Sequence, residues 1–540
     1  MASTATQQET RTRSGIPGLV NNPWKQQDQR IQFPRLERDA NFEVVVIGAG
    51  VVGLTAALAL AKAGKKVGVL EGRVVAAGQA GRAPGDVTTG NPVTYQGLEK
   101  MYGADKARLV AESQAAALAH VKRVVQEERI QCSLREVDGY IIPDQAAHAD
   151  FGGELGAMHK AGLADTAQVD LEGDKTAGGA RVCLQMPNQV RLNPVEYLNG
   201  LAGAVMSHGG EIFESTRVRK YDNHSLTTYE GRKVAASGAV VVATGVPITS
   251  NLVDSAIHAI ALHGKQVVRR RFAVGLKVPK GAVRDAIFYD TASPPHTIHL
   301  AEGGRDHDVL IVSGQDTDQG KKPSEYGDPF RLLEGYAREK WPEVQERLYQ
   351  WSHPITVPVE KLGMYGPDPV HPWGNIYVGT GDCGLVLTGG TLGGLTIADA
   401  ILGRADPFAE LYSPRRKLKG LPFIPTLHPA YLKNTVQSIV NLVTPQLSNP
   451  DIEDMAPDSG ATIQSGLRKV AVYKDPQGET HAYSAVCPHL GCLLQWNPAD
   501  KEWNCPCHGS CFDKQGSNIE GPSTLDLKEL SGVLPKSKHN

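Results

Sequence analysis

Two short boxes near the C-terminus, CPHLGC at residues 487–492 and CPCHGS at residues 505–510, each set cysteine beside histidine. Reduced to metal donors they read Cys487-x-His489, fifteen intervening residues, then Cys505-x-x-His508. Each box offers one soft thiolate and one imidazole. Such a set suits tetrahedral zinc, or an iron–sulfur cluster with one iron on two thiolates and the other on two neutral imidazoles. Zinc fingers group like ligands together and need no second cysteine pair. Here Cys492 and Cys507 form one, a residue to each box, which favours iron and sulfide.

A second chemical element lies at the other end of the chain. Residues 43–53 read EVVVIGAGVVG, an apolar strand running into Gly48-x-Gly50-x-x-Gly53, with Val52 inside the turn. A helical pattern follows, then a second strand, KKVGVL, ending at Glu71. Gly48 permits the tight turn, Gly50 lets a pyrophosphate approach the backbone, and Gly53 lets the helix pack on the sheet. The helix N-terminus brings unpaired N–H groups to the phosphates. Glu71 is spaced to accept hydrogen bonds from ribose hydroxyls. The alternative is a glycine turn without a ligand, but strand, turn, helix, strand and terminal acid are all present.

The C-terminal boxes resemble the Rieske proteins of cytochrome bc-type complexes, as do Trp496-Asn497 and Gly521-Pro522, over roughly residues 452–540. That resemblance implies an all-β domain with Cys487, His489, Cys505 and His508 holding a [2Fe–2S] cluster. It also implies a Cys492–Cys507 disulfide between the two ligand loops. Ser510 would hydrogen-bond a cluster sulfide, and Gly521-Pro522 would cover the cluster. High-potential members carry tyrosine where this chain has Phe512; without that hydroxyl the reduced cluster is less stabilised and a lower potential is expected. Cys511 has no role in the pattern and reads as a buried thiol.

Three further segments accompany the glycine fingerprint. GQAGRAPGDVTT (78–89) contains Arg82, GAVVVATGVP (238–247) contains Ala243 and Gly245, and a glycine-rich loop and helix follow the strand near residue 380. This layout resembles the FAD-dependent oxidoreductases of the D-amino-acid oxidase and glycine oxidase superfamily, over roughly residues 40–412. The resemblance implies an α/β FAD-binding fold, Rossmann-like and of D-amino-acid oxidase type, with an α+β substrate domain. It makes Arg82, Gly381, Asp382 and the turn Thr388-Gly389-Gly390 FAD contacts. The loop 78–89 has neither histidine nor cysteine, so the flavin is expected to be non-covalent, with Cys383 a small buried side chain.

The chain is long enough, at 540 residues, for several domains. We expect a flexible arm over 1–40, FAD-binding pieces at 41–96, 181–254 and 356–412, and substrate-domain pieces at 97–180 and 255–355. A linker over 413–451 then leads to the Rieske domain at 452–540. Lys and Arg number 56 against 58 Asp and Glu, a balance that gives no case for nucleic acid or an anionic membrane. No run of eighteen apolar residues suggests a transmembrane span. No secretory signal is apparent at the N-terminus, and the cytoplasm is the expected compartment. In the linker, Leu432, Val436, Ile439, Val440 and Val443 form an apolar helical stripe, expected to pack at the seam between flavoprotein and Rieske domain. Asp254, His258 and His263 look like a two-histidine, one-carboxylate metal set. Their place upstream of the Rieske boxes favours structural or substrate-domain roles. Arg269 to Arg271, Tyr289 and Lys361 are candidate substrate contacts, each more simply a scaffold residue.

The expected activity is oxidation of a small amine or amino-acid-like molecule by FAD, with electrons leaving singly through the cluster to an external protein or quinone acceptor. The alternative is an electron-transfer relay without a small-molecule substrate of its own.

Overall fold

The computed structural model describes residues 21–24, 30–143, 151–249, 252–293, 295–320, 327–371, 374–416, 427, 429–444 and 451–530. Its first layer is an eight-stranded sheet. The path across it runs Met364–Pro367, Ile376–Thr380, Lys233–Val242, Ala40–Ile47, Val67–Leu70 and Glu211–Phe213. All neighbours from Ile376–Thr380 onward are parallel. These strands are buried runs of valine, isoleucine and alanine, as a parallel sheet covered on both faces requires.

The helix Val51–Lys62 follows the first strand and packs on the later helix Val386–Leu402. Glycine makes that approach possible. A Cβ on Gly390 would lie 2.2 Å from Val51 Cγ1, and one on Gly394 would lie 2.7 Å from the Val52 carbonyl.

The second layer is a nine-stranded sheet dominated by long antiparallel strands. Gln266–Pro279 lies between Arg347–Pro358 and His307–Asp318. Its far side carries Arg135–Ile142 and Val182–Arg191. Residues 182–191, grouped by sequence with the FAD-binding pieces, therefore pair within this other sheet, because their apolar alternation meets that of Arg135–Ile142.

The C-terminal unit is all-β, with a three-stranded meander from Ser459 to Ser484 and a four-stranded one from Gln495 to Glu520. The turn at Asp475–Glu479 closes the first hairpin through Asp475 N–H donating to the Glu479 carbonyl, 2.8 Å.

Two further sequence expectations need correction. The described part of the N-terminal arm is packed against the rest of the chain. Trp24, Phe33 and Leu36 are buried, and the Trp24 indole N–H donates to the Ala83 carbonyl at 3.0 Å. Residues 1–20 and 25–29 lie outside the described residues.

The linker helix Pro429–Val443 does reach the seam, but by its other face. Leu432, Val436, Ile439 and Val440 are exposed, while Tyr431 and Ser438 are buried. Specific hydrogen bonds set this orientation: Ser438 Oγ accepts from Leu493 N–H at 2.8 Å, and the Tyr431 hydroxyl lies 3.2 Å from His508 Nε2. The side chain of Val443 lies outside the described residues.

Candidate functional site

The glycine turn is built as its spacing demands. Gly48 has φ +103°, and a Cβ there would lie 2.6 Å from the Ala243 carbonyl oxygen. Gly53 would place a Cβ 2.0 Å from the Gly48 carbonyl, so the helix can close on the turn only with glycine. At Gly50 a Cβ would meet nothing within 4 Å, because that position faces open space. Gly50 is also the N-cap, with no side chain covering the first helical N–H groups. These bare amides and the positive end of the helix suit a pyrophosphate. Glu71 accepts from Ala49 N–H and Arg73 N–H at 2.9 and 2.8 Å, and burial raises its pKa from the ordinary carboxylate value.

The cleft above this turn is lined by Gly48, Gly50, Val52, Glu71, Ala243, Gly245 and Asp382. Burial pushes Asp382 up to about 6, against hydrogen bonds from Gly384 N–H and the Gln79 amide, the latter at 2.7 Å. Other positions singled out by sequence lie behind this lining. Gly53 serves helix packing, Gly381 N–H donates to Thr356 Oγ1 at 3.0 Å, and Thr388 Oγ1 accepts from Thr88 N–H at 3.0 Å. Gly389 lies in the helix that follows. Arg82 is buried, with its guanidinium 3.6 Å from the Glu520 carboxylate of the C-terminal unit. Cys383 Sγ rests 3.6 Å from the Gly381 carbonyl, and burial pushes its thiol up to about 12, which leaves little thiolate to react.

The opposite wall of the cleft belongs to the C-terminal unit: Gly509, Asn518, Glu520, Gly521 and Ser523. Four residues hold that wall: Arg270, Gln319, Arg217 and Val268. Arg270, 1% exposed, donates to Asp500 and Glu502 carboxylates at 2.9 Å each. Gln319 Nε2 donates to the Gly509 carbonyl at 2.9 Å and lies 3.1 Å from Cys511 Sγ. Arg217 donates to the Asn518 carbonyl at 3.1 Å and to Asp526 at 2.7 Å. Val268 Cγ2 would be 2.5 Å from a Cβ on Gly509, so the two units touch backbone to side chain.

The four residues of the two C-terminal boxes that can ligate metal meet just behind this wall. Cys487, Cys505, His489 and His508 are all buried. The two imidazole rings stand edge to face, 4.7 Å between centroids. Interaction with Cys505, then burial, raises Cys487 above the ordinary thiol value, while interaction with Cys487 holds Cys505 below it. Burial lowers His489 to about 2 and His508 to about 3, so both imidazoles are neutral and able to ligate. His489 Nδ1 and His508 Nδ1 are buried without hydrogen-bond partners. Buried orphan donors beside two thiols are the signature of a metal site, and the two-thiol, two-imidazole set fits a [2Fe–2S] cluster.

Cys492 and Cys507 are bonded, tying the two ligand loops. Ser510 is fully buried, and a Cβ on Gly521 would lie 2.4 Å from Ser510 Cα, so the Gly521-Pro522 loop presses on the ligand box. His263 lies beside both ligand rings, 5.8 Å from His489 and 5.7 Å from His508 between centroids.

Sequence spacing singled out Cys487, His489, Cys505 and His508, which the structure brings together, but not Gln79, Tyr431, Glu520 or Gln319. Those residues carry no motif, and each acts by reaching a partner far away in the chain.

Comparison with known proteins agrees with this geometry. The family model DAO, FAD dependent oxidoreductase, matches residues 43–400, and the Rieske [2Fe-2S] domain model matches residues 449–531. The putative Rieske 2Fe-2S iron-sulfur protein YhfW of Bacillus subtilis strain 168 is 25% identical over 515 residues, covering 94% of this chain and 97% of that protein. The chloroplast cytochrome b6-f complex iron-sulfur subunit of Fritillaria agrestis is 41% identical over 70 residues, 12% of this chain and 30% of that one. The crystal structure of glycine oxidase from Geobacillus kaustophilus superposes with a TM-score of 0.55 at 18% identity, over 70% of this chain and 99% of that one. The chain therefore belongs to the FAD dependent oxidoreductase family, binding FAD, and carries a C-terminal Rieske domain binding a [2Fe–2S] cluster.

Proposed function

We propose that this protein is a dehydrogenase that oxidises a small amine or amino-acid-like molecule and sends the electrons singly through its own cluster to an external protein or quinone. The observation that carries this reading is the shared cleft, with the dinucleotide turn on one wall and the segment from Gly509 to Thr524 on the other. FAD, when bound, supplies hydride acceptance, and the cluster supplies one-electron transfer. An oxidase that returned electrons to oxygen would gain nothing from a cluster held there.

The residues of this chain bind, orient and exclude water. The amides at the start of the helix Val51–Lys62 would hold the phosphates of FAD, and Glu71 faces the same cleft. Arg270, Gln319 and Arg217 clamp the Rieske unit as the cleft's second wall. Arg269 and Arg271 pair with Asp318 and Asp316, and the Tyr289 hydroxyl donates to Asp86 at 3.3 Å. These engagements support a scaffold role for them. An unprotonated amine needs little more than positioning to give up its hydride, and the chain shares the fold of glycine oxidase, an enzyme named for an amino-acid substrate.

The test is anaerobic mixing of the purified protein with a panel of amino acids and N-methylamines. The reading expects one class to bleach the flavin absorbance and then generate the reduced-cluster EPR signal. Bleaching by NAD(P)H or a protein donor alone would replace it with the relay reading.

A further inference from the structure

The helix Leu252–Ala261 and the loop after the strand Met364–Pro367 bring together His258, Asp368 and His371. The side chains of His258 and Asp368 are fully buried, and that of His371 is 27% exposed. Their donor atoms lie within 4.8 Å of one another. Asp368 Oδ2 is the point of convergence, 3.1 Å from His258 Nε2 and 2.8 Å from His371 Nδ1.

The hydrogen bond on the other side of His258 makes this arrangement informative. Its Nδ1 lies 2.9 Å from the Asp254 carbonyl oxygen, which can only accept. Nδ1 therefore carries the proton, and in the neutral ring Nε2 is a bare lone pair aimed at a carboxylate oxygen. Two acceptors do not face each other at 3.1 Å in a dry site unless a cation, either a second proton on the ring or a metal ion, lies between them. Asp368 Oδ1 is already occupied by Val370 N–H at 2.9 Å, which fixes the carboxylate.

We propose that His258, Asp368 and His371 hold one divalent transition-metal ion of the zinc or ferrous class, separate from the iron–sulfur cluster. Two imidazoles and a carboxylate are a borderline nitrogen–oxygen set that suits such ions. The outer contacts have the form that orients metal-bound histidines, in which the remote ring nitrogen meets a backbone carbonyl or a carboxylate. His258 Nδ1 meets the Asp254 carbonyl in this way, while His371 Nε2, 3.8 Å from the Asp254 carboxylate, is within ion-pair reach but not hydrogen-bonded to it. Two of the three ligands are sealed from solvent, so the ion is a structural one. It pins the helix that runs on to His263, the neighbour of both cluster histidines, to the edge of the flavin-binding sheet.

The full-length protein, purified without a histidine tag, is assayed for iron, zinc and acid-labile sulfide, then titrated calorimetrically with zinc chloride after EDTA dialysis. The cluster accounts for two irons and two sulfides per chain. The proposal expects one further equivalent, as zinc or as iron unmatched by sulfide, or else uptake of one zinc in the titration. Asp368→Asn and His371→Ala should each lose that equivalent while keeping the cluster EPR signal. His371→Ala, at a partly exposed site, guards against a folding failure. Iron equal to sulfide with no zinc and no zinc uptake would overturn the proposal, leaving a proton on His258 as the cation. So would an extra equivalent that persists in both variants.

Discussion

Phe512 is fully buried in the strand Cys511–Asp513, opposite Trp503 and in the same apolar cluster as Cys487 and Cys505. A hydroxyl there would favour the more negative reduced cluster. Phe512→Tyr is therefore expected to raise the midpoint potential in an EPR-monitored redox titration; an unchanged or lowered potential would refute that role. Asp382 gives a pH effect of known sign. Burial holds its carboxyl at about 6 in the folded chain, above the ordinary 3.8. The folded state thus binds this proton more tightly than the unfolded one. Its contribution is fully present below pH 3.8 and is lost as pH rises through about 6. In flavin-depleted protein, Asp382→Asn should flatten the fall of the urea midpoint across that window, and an unchanged slope would assign the titration elsewhere. At this scale the proposed cluster ligands were legible as a set because two contiguous boxes contain all four residues that the fold brings together. Arg82 was not, since nothing in its local sequence announces the Glu520 carboxylate that meets it from 438 positions away.

Single elements carry the joint between the two redox units. Arg270 sits in the long strand Gln266–Pro279 and bonds two acids of the C-terminal unit in a nearly dry site. Removing one partner of such a set strands the remaining charges, at a cost of about 3–5 kcal/mol. Arg270→Met should lower stability by that order in urea unfolding, whereas a loss under about 1 kcal/mol would show the contact to be incidental. The linker helix makes the opposite point. Its apolar stripe reads as a buried face, yet Val436 and Ile439 are 59% and 53% exposed. Val436→Gln and Ile439→Gln should each change stability by no more than about 0.5 kcal/mol. Ser438→Ala should cost about 1–3 kcal/mol by leaving Leu493 N–H buried without its acceptor. A reversed order would restore the packing inferred from periodicity. Periodicity shows that a helix has two faces; here two polar side chains, Ser438 and Tyr431, decide which one turns inward.

For the molecule as a whole, the mostly parallel sheet, the mixed sheet and the all-β C-terminal unit were legible because each rests on a local pattern. Buried valine runs, long alternating strands and closely spaced turns supply those patterns. Their mutual placement was not legible, because it depends on pairs such as Arg270 with Glu502, Gln319 with Gly509 and Val268 with Gly509, in which neither partner signals the other. That placement is what makes the protein more than two domains on one chain, since one wall of the cleft above the glycine turn is also the outer surface of the cluster box. If electrons pass between the centres within one molecule, their transfer is unimolecular. The most direct measurement is rapid-freeze EPR of cluster reduction after anaerobic photoreduction of the flavin, repeated over a hundredfold range of protein concentration. This account predicts one first-order rate that does not change with concentration. A rate that grows in proportion to concentration, or a cluster that stays oxidised beside a reduced flavin, would contradict it.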